Sequence, residues 1–155
     1  MRVAIFFLMM LWIADPAHAG DLPRFVSLKS TEANLRAGPG TQYPIKWIYR
    51  RASLPVEIID EYGHWRKIRD MDGEQGWMHK GMLSGTRTAI IMGKTRALKR
   101  KPETSSVAIL KAEPTVVGKI LECEAAWCRL DIKGRRGWIQ KQFIWGVYKN
   151  EVIGD

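Results

Sequence analysis

The chain has 155 residues, 25 Lys and Arg against 16 Asp and Glu, a formal net charge of +9 at pH 7, two cysteines and three histidines. A basic surplus of this size favours polyanionic partners, and solubility through like charge is the competing reading. No His and Cys set stands at metal-ligand spacing, which speaks against a metal centre.

Arg2 precedes an apolar run from Val3 to Ala14, and Pro16 leads into Ala17-His18-Ala19. This pattern predicts a signal peptide over residues 1–19, cleaved after Ala19. The run is well short of the roughly 20 residues a spanning helix needs. The expectation is a free periplasmic or secreted protein, because no cysteine follows the cleavage site to carry a lipid anchor. Outside the cytoplasm, anionic cell-wall or lipid headgroup polymers are nearer partners for a basic surface than nucleic acid. The segment removed holds one base, Arg2, and one acid, Asp15, so the charge belongs wholly to the remainder.

From Arg24 onward, apolar residues alternate in short runs: Phe25 to Leu28, Ile45 to Ile48, Val56 to Ile59, Trp65 to Arg69 and Gly76 to Met78. Runs of this length broken by Gly, Pro and Asp are strand signals. The fold is therefore expected to be all-β, with one helical turn near Lys80 to Leu83. The pattern then returns. Val56 to Ile59, Trp65-Arg66-Lys67-Ile68, Asp72-Gly73, Gly76-Trp77-Met78 and Leu83-Ser84-Gly85 have counterparts in Val117 to Leu121, Trp127-Cys128-Arg129-Leu130, Lys133-Gly134, Gly137-Trp138-Ile139 and Ile144-Trp145-Gly146, a period of about 62 residues. Each unit holds enough strands to close on itself. The predicted organisation is a barrel over 24–85 and a second over 86–149, packed together through Gly85 to Gly93. Thr86 to Ile91 in that seam reads as a strand of either unit.

Cys123 and Cys128 flank an apparent hairpin tip with Trp127, Glu122 and Glu124. Export permits a disulfide there, with a pair of free thiols as the alternative. Asp72-Gly73 reads as a two-residue hairpin turn, and Asp60-Glu61 as solvated acids at another tip. Gly38-Pro39-Gly40 predicts a tight turn made by glycine's access to positive φ. Gly76 is expected to leave room for a ring or an approaching strand. Seven residues separate Ile68 from Gly76, but six separate Leu130 from Gly137. A one-residue difference exchanges inner and outer faces unless a turn absorbs it, so which tryptophans face inward stays open.

Asn34-Leu35-Arg36-Ala37-Gly38-Pro39, followed by Trp65-Arg66-Lys67-Ile68 and Gly76-Trp77, resembles the bacterial Src homology 3 family over nearly the whole first unit. The second unit resembles it at fold-defining positions but replaces the Arg-x-Gly-Pro turn with Lys99-Arg100-Lys101-Pro102. The resemblance implies SH3-like barrels and a non-catalytic targeting module, with a peptidoglycan or protein ligand and no cofactor. The ligand-binding candidates are Arg36, Tyr43, Arg50, Arg51, Tyr62, His64 and Trp65. Aromatic faces with basic neighbours suit peptides, sugars and carboxylates. Against this, Trp65, Trp77 and Trp138 are read as core or half-core residues, and Arg36 as a side chain that holds its own loop. Lys94, Arg96, Lys99, Arg100 and Lys101 form the densest basic stretch, a docking patch unless strand alternation divides it.

Catalysis is disfavoured: Cys128 and His64 would have to meet across units, and His64 and His79 read as surface residues. The expected function is cell-wall binding by the first unit, with the second in support. The alternative is an adaptor whose basic face meets an acidic envelope protein.

Overall fold

The computed structural model describes residues 20–154, so the signal peptide expected over 1–19 and its expected cleavage position lie outside the described residues. The first sheet contains β1 (Arg24–Leu28), β2 (Ala33–Arg36), β3 (Ile45–Tyr49), β4 (Pro55–Tyr62), β5 (Trp65–Arg69), β6 (Gln75–His79) and β7 (Leu83–Ser84). A single turn of 3-10 helix, Lys80–Met82, joins the last two. The second sheet repeats this with β8 (Thr88–Ile91), β9 (Arg96–Lys99), β10 (Ala108–Ala112), β11 (Val117–Glu124), β12 (Trp127–Ile132), β13 (Arg135–Gln140), a 3-10 turn Lys141–Phe143 and β14 (Ile144–Trp145). Strand order is β3-β2-β6-β5-β4-β1-β7 in the first and β10-β9-β13-β12-β11-β8-β14 in the second, the same topology twice. The segment that sequence left between units is thus resolved: Thr88–Ile91 pairs with β11 and β14 and opens the second barrel.

Each sheet wraps its own core. Leu28, Leu35, Val56, Ile58, Ile68 and Met78 fill the first; Ile91, Leu98, Ile120, Leu130, Ile139 and Ile144 fill the second. Burying a side chain of this size contributes about 1.5–3 kcal/mol, which is why the alternating runs hold their register. Ile68 stands opposite Gly76 and Leu130 opposite Gly137, so inner and outer faces match in the two barrels. The turn absorbs the odd residue. In the second barrel Lys133 and Gly134, with φ of 53° and 84°, make a two-residue turn between the paired Ile132 and Arg135. In the first, Asp72-Gly73 is not a two-residue turn but part of a five-residue loop from Asp70 to Glu74. Asp70 Oδ1 accepts the amides of Asp72 and Glu74 and holds that loop open.

The open question of which tryptophans face inward is answered, and two further expectations change. No described tryptophan belongs to the buried core; with Gly76 and Met78 turned inward, Trp77 lies half-buried on the outer face, and Trp138 does likewise. Asp60 and Glu61 are not at a tip but within β4, whose tip is Gly63-His64. Glu61 is engaged by Arg24 and Arg66. Gly38 and Gly40 do not take positive φ. Gly38 is small because the Tyr43 ring lies over it, 2.5 Å from where a Cβ would stand. Gly76 likewise admits β2, whose Arg36 carbonyl would be 2.8 Å from an added Cβ.

Cys123 and Cys128 face each other across β11 and β12 and form a disulfide. The barrels meet through Phe25, whose ring packs edge-on against Trp145 with centroids 4.9 Å apart and at a tilt against Tyr148 at 4.7 Å. Tyr148 Oη donates to Glu57 Oε1 at 2.7 Å. Thr88 Oγ1 donates to the Ser53 carbonyl, and Arg51 to the Thr115 carbonyl.

Candidate functional site

Facing pairs place Trp65 opposite His79 and Lys67 and Arg36 opposite Trp77. Side chains alternate along a strand, so Asn34, Arg36, Trp65 and His79 share the outer face of β2, β5 and β6. The loop from Ala37 to Pro44 folds back over one side of this face, and the 3-10 turn closes the other. The groove between them has a volume of about 250 Å³ and takes in Arg36, Thr41, Trp65, His79 and Met82.

Arg36 holds the loop as well as lining the groove: its Nη1 donates to the carbonyls of Thr41 at 3.1 Å and Tyr43 at 2.9 Å. Trp65 is half-buried and meets the His79 ring edge to face at 5.6 Å. His79 Nδ1 accepts the Gly81 amide at 3.1 Å, which fixes the ring and leaves its other nitrogen as the free polar atom.

The remaining candidates divide. His64 sits in the β4–β5 turn with its ring 6.1 Å from that of His79, beside the groove. Arg50 pairs at 2.9 Å with Glu32, a wall residue, and so borders it. Arg51 is turned away and spent on the second barrel through the Thr115 carbonyl. Tyr62 is 66% exposed at the β4–β5 tip, and Tyr43 is 40% exposed with its ring over Gly38; neither lines the groove. Asn34, His79 and Met82 were not on the sequence-derived list of binding residues. The pairing of Trp65 with His79 follows once Ile68 is set opposite Gly76, and that register was the missing step.

The second barrel carries the corresponding groove, lined by Ala97, Lys99, Thr104, Trp127, Gln140 and Phe143, in a volume of about 110 Å³. The basic stretch does not form one patch. Lys99 lies on the outer face opposite Trp138, while Arg96, on the other side of β9, stacks over the Phe143 ring at 3.7 Å. Lys94, Arg100 and Lys101 are exposed in the flanking turns.

Two consecutive barrels of one topology, each with a groove on the same outer face, define a tandem small-barrel protein. The bacterial SH3 domain family matches residues 29–85 and again residues 94–146, and the chain belongs to that family. No curated protein matches it. Among solved structures it is similar to NlpC1 from Trichomonas vaginalis, with 15% identity and a TM-score of 0.36 over 87% of this chain and 50% of that one. It is also similar to NlpC2 from Trichomonas vaginalis, with 13% identity and a TM-score of 0.39 over 83% of this chain and 49% of that one. An NlpC/P60 family protein from Bacillus cereus gives 13% identity and a TM-score of 0.36 over 78% and 55%. This chain spans about half the length of each of these structures. Among the described residues, no helix is long and apolar enough to cross a membrane.

Proposed function

We propose that the chain is an exported, non-catalytic binding module that attaches to cell-wall peptide or glycan through the groove of the first barrel, with the second barrel in support. Membership of the bacterial SH3 family supports the cell-wall assignment. The observation that carries the division of labour is the difference between equivalent grooves: about 250 Å³ in the first barrel against about 110 Å³ in the second. An indole edge, an imidazole and a guanidinium around an open cleft match a ligand that presents both an apolar face and carboxyl or amide groups. The disulfide accords with an oxidising compartment.

Sedimentation of residues 20–155 with insoluble peptidoglycan sacculi across a salt series tests this. Trp65→Ala should reduce retention about tenfold at high salt, the scale of an aromatic contact worth about 1.4 kcal/mol, and Trp127→Ala should leave it unchanged. Retention that disappears with added salt, equally in both variants, would reduce the interaction to surface charge and overturn the groove reading.

A second reading is a protein adaptor, favoured by the edge strand β3. Ile45, Trp47 and Ile48 are 44%, 57% and 37% exposed there, large apolar side chains on an edge that proteins ordinarily cover. Absence of retention at every salt concentration would put this reading first.

A further inference from the structure

A cavity larger than either groove lies elsewhere in the described chain. It is an open cleft of about 650 Å³ at the far end of the second barrel, within the size range of small-ligand sites. One wall is the tip of the β11–β12 hairpin, Ala125 and Ala126; the opposite wall is the C-terminal segment at Lys149, Asn150 and Val152. Both walls are fastened. The disulfide closes the hairpin directly behind its tip, and Cys123 exchanges two backbone hydrogen bonds with Ile153, at 2.6 and 3.1 Å, to hold the C-terminal segment alongside. The first barrel has Gly63 and His64 at the equivalent tip.

The floor is polar and cationic. Lys141 is 7% exposed, although its counterpart Lys80 in the first barrel lies on the surface. Its ammonium donates to the carbonyls of Lys149 and Glu151 and, among the described residues, forms no ion pair. Glu151 feels the Lys141 charge, but its carboxylate is hydrogen-bonded to Arg87 and to the Tyr148 amide, not to the Lys141 ammonium. A buried cation bonded only to carbonyls keeps a strong demand for negative charge. Lys149 adds a second ammonium, and among the described residues no carboxylate lines the cleft. Beside them Gln142 Nε2 donates to Gln140 Oε1, which leaves the Gln140 amino group as a donor and the Gln142 oxygen as an acceptor. That pair is complementary to one peptide unit, and the alanine wall accommodates methyl-sized side chains.

We propose that the cleft between the β11–β12 hairpin and the C-terminal segment binds a short peptide with small side chains and a free terminal carboxylate. This site is independent of the first-barrel groove. It gives the disulfide a second role, as the fastening of a binding wall.

The test is an amide NMR titration of residues 20–155 with N-acetyl-alanyl-alanine, its C-terminal amide, and inorganic phosphate. The free acid should shift the Ala126, Gln140 and Gln142 signals, with the amide-capped form about tenfold weaker, as loss of one charge-assisted contact implies. Lys149→Gln should weaken binding by a similar factor. Ala126→Trp, which fills the cleft from an exposed position and leaves the core untouched, should abolish it at unchanged melting temperature. Equal binding of acid and amide, phosphate shifts as large as the peptide's, shifts confined to other residues, or binding that survives Ala126→Trp would each overturn the proposal.

Discussion

Gly38 and Gly76 both stand where a Cβ would collide, but the obstacles differ in kind. At Gly38 the obstacle is the Tyr43 ring, 40% exposed and free to swing away. At Gly76 it is Leu35, fully buried, and the Arg36 carbonyl, a backbone atom of the paired strand. Gly76→Ala should therefore destabilise the protein by about 1–3 kcal/mol, the usual cost of overpacking, while Gly38→Ala should cost well under 1 kcal/mol and displace Tyr43. Urea unfolding measures the first effect and tyrosine fluorescence the second. A sequence shows that glycine is present, not which atom excludes a side chain. For that reason Gly38 reads from sequence as a positive-φ glycine, whereas Gly76 reads as room for either a ring or a close strand, and it is the strand that fills the space.

The elements were legible where periodicity alone decides them. β5 runs from Trp65 to Arg69 as the alternation predicts, and the helical turn falls at Lys80–Met82. Turns were harder, because one capping side chain overrides a dipeptide signal. Asp70 captures two amides and turns Asp72-Gly73 into part of a longer loop, whereas Lys133-Gly134 keeps the short turn. The groove was half legible: Arg36 and Trp65 were named, but their neighbours depend on cross-strand register, which no local pattern contains. The β11–β12 hairpin shows what a covalent link adds. Both sulfurs are buried, and the bridge spans a sequence separation of five. Chain-entropy reasoning gives a loop this short about 2 kcal/mol of stabilisation. Replacing both cysteines by alanine should lower stability by that amount, read from the shift in denaturation midpoint, and should raise hydrogen exchange at the Cys123 and Ile153 amides first.

At the scale of the whole molecule, the contact between barrels rests on groups whose protonation the fold controls. Burial and the hydrogen bond to Glu57, reinforced by the nearby carboxylate charges, push the Tyr148 phenol well above its ordinary value. Burial and the bond to Asp70 do the same for Tyr49 in the first barrel. Glu151 moves the other way. Burial alone would raise it, but the hydrogen bonds from Arg87 and the Tyr148 amide, with the charges of Arg87 and Lys141, outweigh that and hold its carboxyl low. The signs follow from linkage. For the tyrosines the fold prefers the protonated form, so their contribution is complete below the unfolded value of about 10 and is lost as pH rises through the folded one. For Glu151 the fold prefers the ionised form, so its contribution is complete above the unfolded value of about 4.3 and is lost as pH falls through the folded one. Melting temperature should hold a plateau between these limits and fall on both sides. Tyr148→Phe keeps the ring against Phe25 but removes the titrating hydroxyl, and should flatten the alkaline limb while leaving the acid limb in place. Glu151→Gln should do the reverse. Calorimetry of the three proteins across pH separates the contributions: an alkaline limb unchanged by Tyr148→Phe would assign that limb to Tyr49 inside the first barrel instead of the contact between barrels.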